Sequence, residues 1–111
     1  MIPVSNETFD KLVVEPSLKR PVVIDMWAEW CGPCKLLSPI YEKVSKDYSS
    51  DMDFHKLNVD DNPEIAEKYG IKSIPAVLIF YNSEPIAQIS GLIPEDKLRH
   101  ELEYVLALTQ N

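Results

Sequence analysis

The two cysteines of this chain, its only ones, frame a four-residue stretch, Cys31-Gly32-Pro33-Cys34. A strand signal precedes them and a helix signal follows. The strand signal is Val22-Val23-Ile24-Asp25-Met26-Trp27-Ala28, an apolar run long enough for a strand buried on both faces. The helix signal is Leu37, Ile40, Tyr41, Val44 and Tyr48, spaced along one helical face over about Pro33 to Tyr48. Pro33 suits a first helical turn, where its missing N–H and fixed φ cost nothing. Cys31 therefore falls at a helix N-terminus, where free N–H groups and the macrodipole favour a negative charge such as a thiolate. The pattern reads as a redox site.

The rival uses of a Cys-x-x-Cys pair are weaker. A structural zinc site needs four ligands, and beyond the cysteines the chain offers only His55 and His100, distant from each other and from the pair. Haem attachment needs His after Cys34, where Lys35 stands. A structural disulfide closing so short a loop constrains the unfolded chain very little. Elimination leaves catalytic dithiol chemistry, with no cofactor and no metal.

Charge and length bound the rest. Eleven basic and eighteen acidic residues give a net charge of −7, which argues against nucleic acid or an anionic membrane surface as the main partner. No apolar run approaches the ~20 residues needed to span a bilayer. Met1 to Glu7 lacks the basic and apolar regions of a signal peptide, so the expectation is a cytoplasmic protein, or one of an organelle matrix if a targeting segment has been removed. A reducing compartment suits a transient disulfide. The 111 residues are one domain's worth, expected as a monomer.

In chain order, Ile2–Val4 is a short strand candidate. Ser5 or Asn6 caps a helix carrying Phe9, Leu12 and Val13 up to about Glu15, and Pro16 and Pro21 bracket a turn. Asp25 stands inside the apolar strand, six residues before Cys31. Burial penalises its charged form, and perturbed acids gather at functional sites, so acid–base service to the dithiol is preferred over a polar face or a loop contact. Pro39 inside the long helix predicts a kink, either tilting the cysteine turn or merely structural. Met52–Val59 reads as the next strand. Lys56 within it either pairs with Asp25, if the strands are neighbours, or faces water. His55 is read as a surface or satisfied histidine.

Asp61-Asn62-Pro63-Glu64 starts a short helix that Gly70 ends in the left-handed conformation. Ala76–Tyr81 is a fully apolar strand, Asn82-Ser83-Glu84 turns the chain, and Ile86–Ser90 answers as a hairpin partner. Pro85 at its start suits an edge strand. Pro94-Glu95-Asp96 opens a last helix with Leu98, Leu102, Val105 and Leu106 on one face. The order β-α-β-α-β-α-β-β-α predicts an α/β fold. Its alternating part implies parallel strands, and a C-terminal antiparallel hairpin completes a mixed sheet with helices on both faces.

These residues resemble one family, thioredoxin, over essentially the whole chain. The resemblance rests on Asp25-Met26-Trp27-Ala28-Glu29-Trp30-Cys31-Gly32-Pro33-Cys34-Lys35, Lys56-Leu57-Asn58-Val59-Asp60, Tyr69-Gly70-Ile71, Ile74-Pro75 and Gly91. It implies a thioredoxin fold and a protein-disulfide reductase serving as a general electron donor. It further implies Cys31 as nucleophile, Cys34 as resolving thiol, and Asp25, through water and with Lys56 nearby, as the proton acceptor for Cys34. Pro75 is the implied cis-proline beside Cys31, and Trp30, Gly32, Pro33, Ile74 and Gly91 the docking surface. The implied partners are disulfide-containing target proteins and a thioredoxin reductase, NADPH- or ferredoxin-linked.

Three residues depart from the family pattern. Met26 stands where an aromatic is commoner, Asn82-Ser83 replaces Asn-Gly in the hairpin, and Ser90 makes the docking surface more polar. An oxidase or isomerase of the same fold would use the same cysteines, but Gly32-Pro33, with no His between them, favours a reductase. A subunit that holds a partner whatever its redox state is the non-enzymatic alternative.

Overall fold

A computed structural model describes residues 1–110. Its sheet has four strands: β1 (Val22–Trp27), β2 (Asp53–Asn58), β3 (Ala76–Tyr81) and β4 (Glu84–Ser90), in the spatial order β2-β1-β3-β4. Two helices join them, α1 (Gly32–Tyr48) between β1 and β2 and α2 (Pro63–Lys68) between β2 and β3, and a third, α3 (Glu95–Thr109), follows β4. β1 lies inside the sheet and all but its last residue are buried, as a run apolar at every position but Asp25 requires.

Successive side chains of β1 point to opposite faces, and each face has its own core. Val23 packs with Leu37, Tyr41 and Val44 of α1 and with Leu98, Leu102 and Val105 of α3. Val22, Ile24 and Met26 pack on the other side with Phe9, Val13, Ile65 and Phe80. Met26 is fully buried there, so its departure from an aromatic is a matter of core packing alone. Tyr41, also fully buried, puts its hydroxyl within hydrogen-bond distance of the backbone carbonyls of His55 (2.8 Å) and Val23 (3.1 Å).

The strand pairing departs from the sequence expectation. β1 and β2 are parallel, but β1 and β3 run antiparallel, with Asp25 opposite Val77. The alternating pattern predicted a parallel crossover between β2 and β3. The six residues of α2 make less than two turns of helix, and the rest of the connection is turn and loop. The chain stays at the end of the sheet where β2 finished and enters β3 there, at Ala76 opposite Met26. β3 and β4 form the expected antiparallel hairpin at the sheet edge.

The N-terminal elements are smaller than expected. Ile2–Val4 makes a single parallel bridge, Pro3 to Lys56, with the Val4 N–H donating to the Lys56 carbonyl at 2.9 Å. Pro3 has no N–H with which to extend the ladder. Ser5 and Thr8 exchange side-chain-to-backbone hydrogen bonds as in a capping box, and the helical segment closes in a wide turn, Asp10–Val14, before a tight one, Pro16–Leu18.

Two turns keep their conformation for identifiable reasons. After α2, Gly70 has φ +66°; its N–H donates to the Glu67 carbonyl and that of Ile71 to the Ala66 carbonyl, the paired bonds of a Schellman cap. Between β3 and β4, Asn82 (φ 53°) and Ser83 (φ 73°) both adopt positive φ, the two-residue geometry that matches strand twist. Ser83 thus takes the backbone that glycine usually takes. Buried Ser17 holds the turn: its carbonyl accepts from the Asn82 N–H at 2.8 Å and its hydroxyl from the Ser83 N–H at 2.9 Å.

Candidate active site

The C-terminal end of β1 delivers the chain through a short turn into α1, and the cysteines lie at that junction. Cys31 is the N-cap of α1 in an extended conformation, and its Sγ accepts the Cys34 backbone N–H at 3.2 Å. Pro33 falls in the first helical turn as expected, so its absent N–H leaves no gap in the helix. The cysteines are joined as a disulfide, their Cα atoms 5.3 Å apart. Both are buried, in a small apolar cluster with Ala28 against Trp27, Val59 and Ile74. Gly32 and Pro33 between them are exposed.

The structure brings the predicted surface residues to this junction from several segments. The Ile74–Pro75 peptide is cis, and the Pro75 carbonyl accepts the Gly91 N–H at 2.8 Å, which ties the loop before β3 to the loop after β4. Gly91 has φ +86°, a conformation that side chains rarely adopt. Trp30 is 71 % exposed, and its indole N–H donates to the Asp60 carboxylate at 2.9 Å. Between Trp30 and Ile74 lies an open groove of about 450 Å3, walled by Val59, Pro63, Ala66 and Ile71 and rimmed by Lys72 and Ser73. Ser90, opposite Ala76 on the edge strand, is exposed beside Gly91.

Asp25 is fully buried, and neither carboxylate oxygen has a hydrogen-bond partner among the described residues. Strand alternation places it on the face covered by α1. Its carboxyl is pushed up from 3.8 to about 6, chiefly by burial, with the positive charge of Lys56 opposing the rise and Glu42 adding to it. The same negative charge, after burial itself, helps drive the Tyr41 phenol well above its ordinary value.

Asp25 and Lys56 are register partners on neighbouring strands, the condition on which the sequence paired them, yet they form no ion pair among the described residues. The Lys56 ammonium instead donates to Ser38 Oγ of α1 at 2.5 Å and lies 5.6 Å from the centre of the Trp27 ring. Its long stem carries the charge past Asp25 to the helix. Sequence reasoning missed Ser38, a contact across eighteen residues; its one signal is a place one helical turn after Cys34, on the same side of α1. The role of Asp60 as partner of Trp30 was missed as well. His55 is a satisfied histidine, its Nδ1 2.7 Å from the Ile2 carbonyl.

A buried cysteine pair at a helix start, beside a cis-proline loop and following a strand that carries a buried acid, is a dithiol–disulfide site. The thioredoxin family model matches residues 1–104. The chain belongs to the thioredoxin family. Its relatives include a thioredoxin of Rickettsia bellii, 49 % identical over 86 % of this chain and 89 % of that one. Thioredoxin 1 of Synechococcus elongatus is 37 % identical over 90 % of this chain and 92 % of its own length. A chloroplastic M-type thioredoxin of Pisum sativum is 40 % identical over 90 % of this chain, which spans 57 % of that longer protein.

Family and site together make the chain a thiol–disulfide oxidoreductase, working by dithiol–disulfide exchange on disulfide-containing targets and re-reduced by a reductase. No described helix is long and apolar enough to cross a membrane.

Proposed function

We propose that residues 1–111 act as a single, monomeric thioredoxin domain that reduces protein disulfides, with Cys31 as nucleophile. The observation that carries this assignment is the position of Cys31 Sγ at the start of α1, where it accepts a backbone N–H. A thiolate there is stabilised by that hydrogen bond and by the helix end.

In the reduced protein, the Cys31 thiolate attacks one sulfur of a target disulfide. A Cys31–target bond forms, and the second target sulfur leaves as a thiolate. Cys34 then gives its proton to the Asp25 carboxylate, and its thiolate attacks Cys31 Sγ. The Cys31–target bond breaks, the first target sulfur leaves as a thiolate, and the two target thiolates take up the proton held by Asp25 and one from solvent to end as thiols. The target gains two electrons and the chain is left with the Cys31–Cys34 disulfide, the form described above.

Burial supports the role of Asp25, since a base must hold its proton near operating pH. Lys56, with its charge close by, moderates that basicity. Trp30, Gly32, Pro33, Ile74, Pro75 and Gly91 form the surface on which the target lies, the cis-proline backbone offering an edge beside Cys31. Either an NADPH- or a ferredoxin-linked thioredoxin reductase would supply the two electrons. The cytoplasm or an organelle matrix suits this cycle, and bacterial and chloroplastic relatives support both settings.

The test is trapping. Cys34→Ser cannot complete the second attack, so it is expected to accumulate mixed disulfides with target proteins, while Cys31→Ser forms none and turns over no substrate. Mixed disulfides retained by Cys31→Ser and not by Cys34→Ser would reverse the assignment.

A further inference from the structure

Lys56 is held in an unexpected place. It is the register partner of Asp25, and parallel neighbours in a sheet lie ~4.8 Å apart with side chains on the same face. A buried carboxylate with no hydrogen-bond partner is the natural destination of such an ammonium. The ammonium instead bonds to Ser38 Oγ, and the face of Trp27 lies alongside it. We propose that Ser38 is a positioning residue of the reduction cycle: its hydroxyl anchors Lys56 to α1 and keeps the ammonium off the Asp25 carboxyl, which stays free to take up a proton.

The groups around Asp25 limit what else could set its behaviour. Lys56 faces it from β2, Tyr41 and Glu42 act on it from α1, and β3 presents only Val77 opposite. Lys56 is the one cation in this set. Where it sits decides whether Asp25 behaves as a dry carboxyl that holds a proton near neutrality or as half of an ion pair that does not. The Ser38 hydroxyl is the only hydrogen-bond partner of the Lys56 ammonium among the described residues, so it is the contact that fixes the position. Ala at 38 would leave the ammonium with Trp27 alone and Asp25 within reach across the register.

The catalytic consequence rests on the acid–base role proposed for Asp25, and the experiment separates the two. Four proteins are compared in the disulfide form, where neither sulfur titrates: parent, Ser38→Ala, Lys56→Met and the double variant. The Asp25 side-chain carboxyl 13C shift is followed against pH. Ser38→Ala is expected to lower the Asp25 midpoint by about one pH unit, as an opposite charge brought into contact does. Ser38→Thr, which keeps the hydroxyl, is expected to restore the parent midpoint. In the Lys56→Met background, Ser38→Ala is expected to move nothing. An unchanged or raised midpoint in Ser38→Ala overturns the proposal, and so does a shift that survives removal of Lys56.

The second arm is the rate at which Cys34 resolves a preformed mixed disulfide on Cys31, measured against pH. Its acid limb is expected to move down with the Asp25 midpoint in Ser38→Ala. A limb that stays in place while the midpoint moves overturns the acid–base role of Asp25 and leaves the clamp on Lys56 standing.

Discussion

Removing the Asp25 carboxyl is expected to stabilise this protein, and by an amount that depends on pH in a defined way. The folded-state value of about 6 lies above the ordinary 3.8, so the folded chain holds this proton more tightly than the unfolded chain does. Well below pH 3.8 the carboxyl is neutral in both states and costs nothing. Between 3.8 and about 6 the unfolded state gives up the proton first, so stability falls as pH rises. Above about 6 the full cost is present. A displacement of roughly two pH units at ~1.4 kcal/mol each amounts to about 3 kcal/mol.

Asp25→Ala also leaves a small void, but that contribution is independent of pH and cancels when one compares the same pair of proteins at two pH values. Urea unfolding of parent and Asp25→Ala, both in the disulfide form, gives the difference at pH 4 and at pH 8. The advantage of the variant is expected to grow by roughly 2.4 kcal/mol between them, because part of the transition already lies below pH 4. An advantage that is equal at the two values, or larger at pH 4, refutes the burial argument. The same variant is expected to exchange disulfides more slowly at neutral pH.

Two further predictions concern the hairpin and the redox poise. Ser83→Gly is expected to raise stability by about 0.5–1 kcal/mol, because glycine adopts the observed positive φ without strain and keeps the N–H that bonds to Ser17; a thermal midpoint unchanged or lowered would count against the turn geometry. In glutathione mixtures that hold a disulfide isomerase half oxidised, this chain is expected to remain largely disulfide-bonded. Its thiolate has the helix end and one N–H for support, and Asp25 and Glu29 oppose a second anion. A protein found reduced in those mixtures would be an oxidant rather than a reductant.

Sequence disclosed the parts of this fold that local rules govern. The β1 run, the start of α1 at Pro33, the left-handed Gly70 and the apolar stripe of α3 each follow from spacing or backbone chemistry within a few residues. The direction of β3 was not legible from the alternation of elements, because the seventeen residues from Val59 to Pro75 are long enough for either direction. The Asn82-Ser83 turn was open for a different reason. Serine disfavours positive φ, and only the pairing of Tyr81 with Glu84 and the bonds from Ser17 impose it. The cis geometry of Pro75 came from resemblance alone.

The site divides in the same way. Cys31 and Cys34 were readable because their chemistry lies in a four-residue motif. Asp25 was readable as an anomaly, a charge inside an apolar run. The pairing of Lys56 with Ser38 was not, since a charge in a strand names no partner and a serine in a helix suggests no function. The sequence offered Asp25 as the partner because both residues were out of place; the structure shows two misplaced charges in register, with the lysine bonded to a third residue.

That separation explains why a costly carboxyl is kept in a dry site. With a value of about 6, Asp25 is about nine-tenths ionised at pH 7, so it is present as the base. It holds a transferred proton roughly a hundredfold more firmly than a carboxyl at 3.8 would. The free energy that burial takes from folding is the same free energy that makes the group a useful acceptor for the Cys34 proton. Bringing Lys56 into contact would return stability by favouring the anion and remove basicity in equal measure. Stability and proton affinity at Asp25 are therefore expected to change together, in opposite directions, in any variant that moves Lys56.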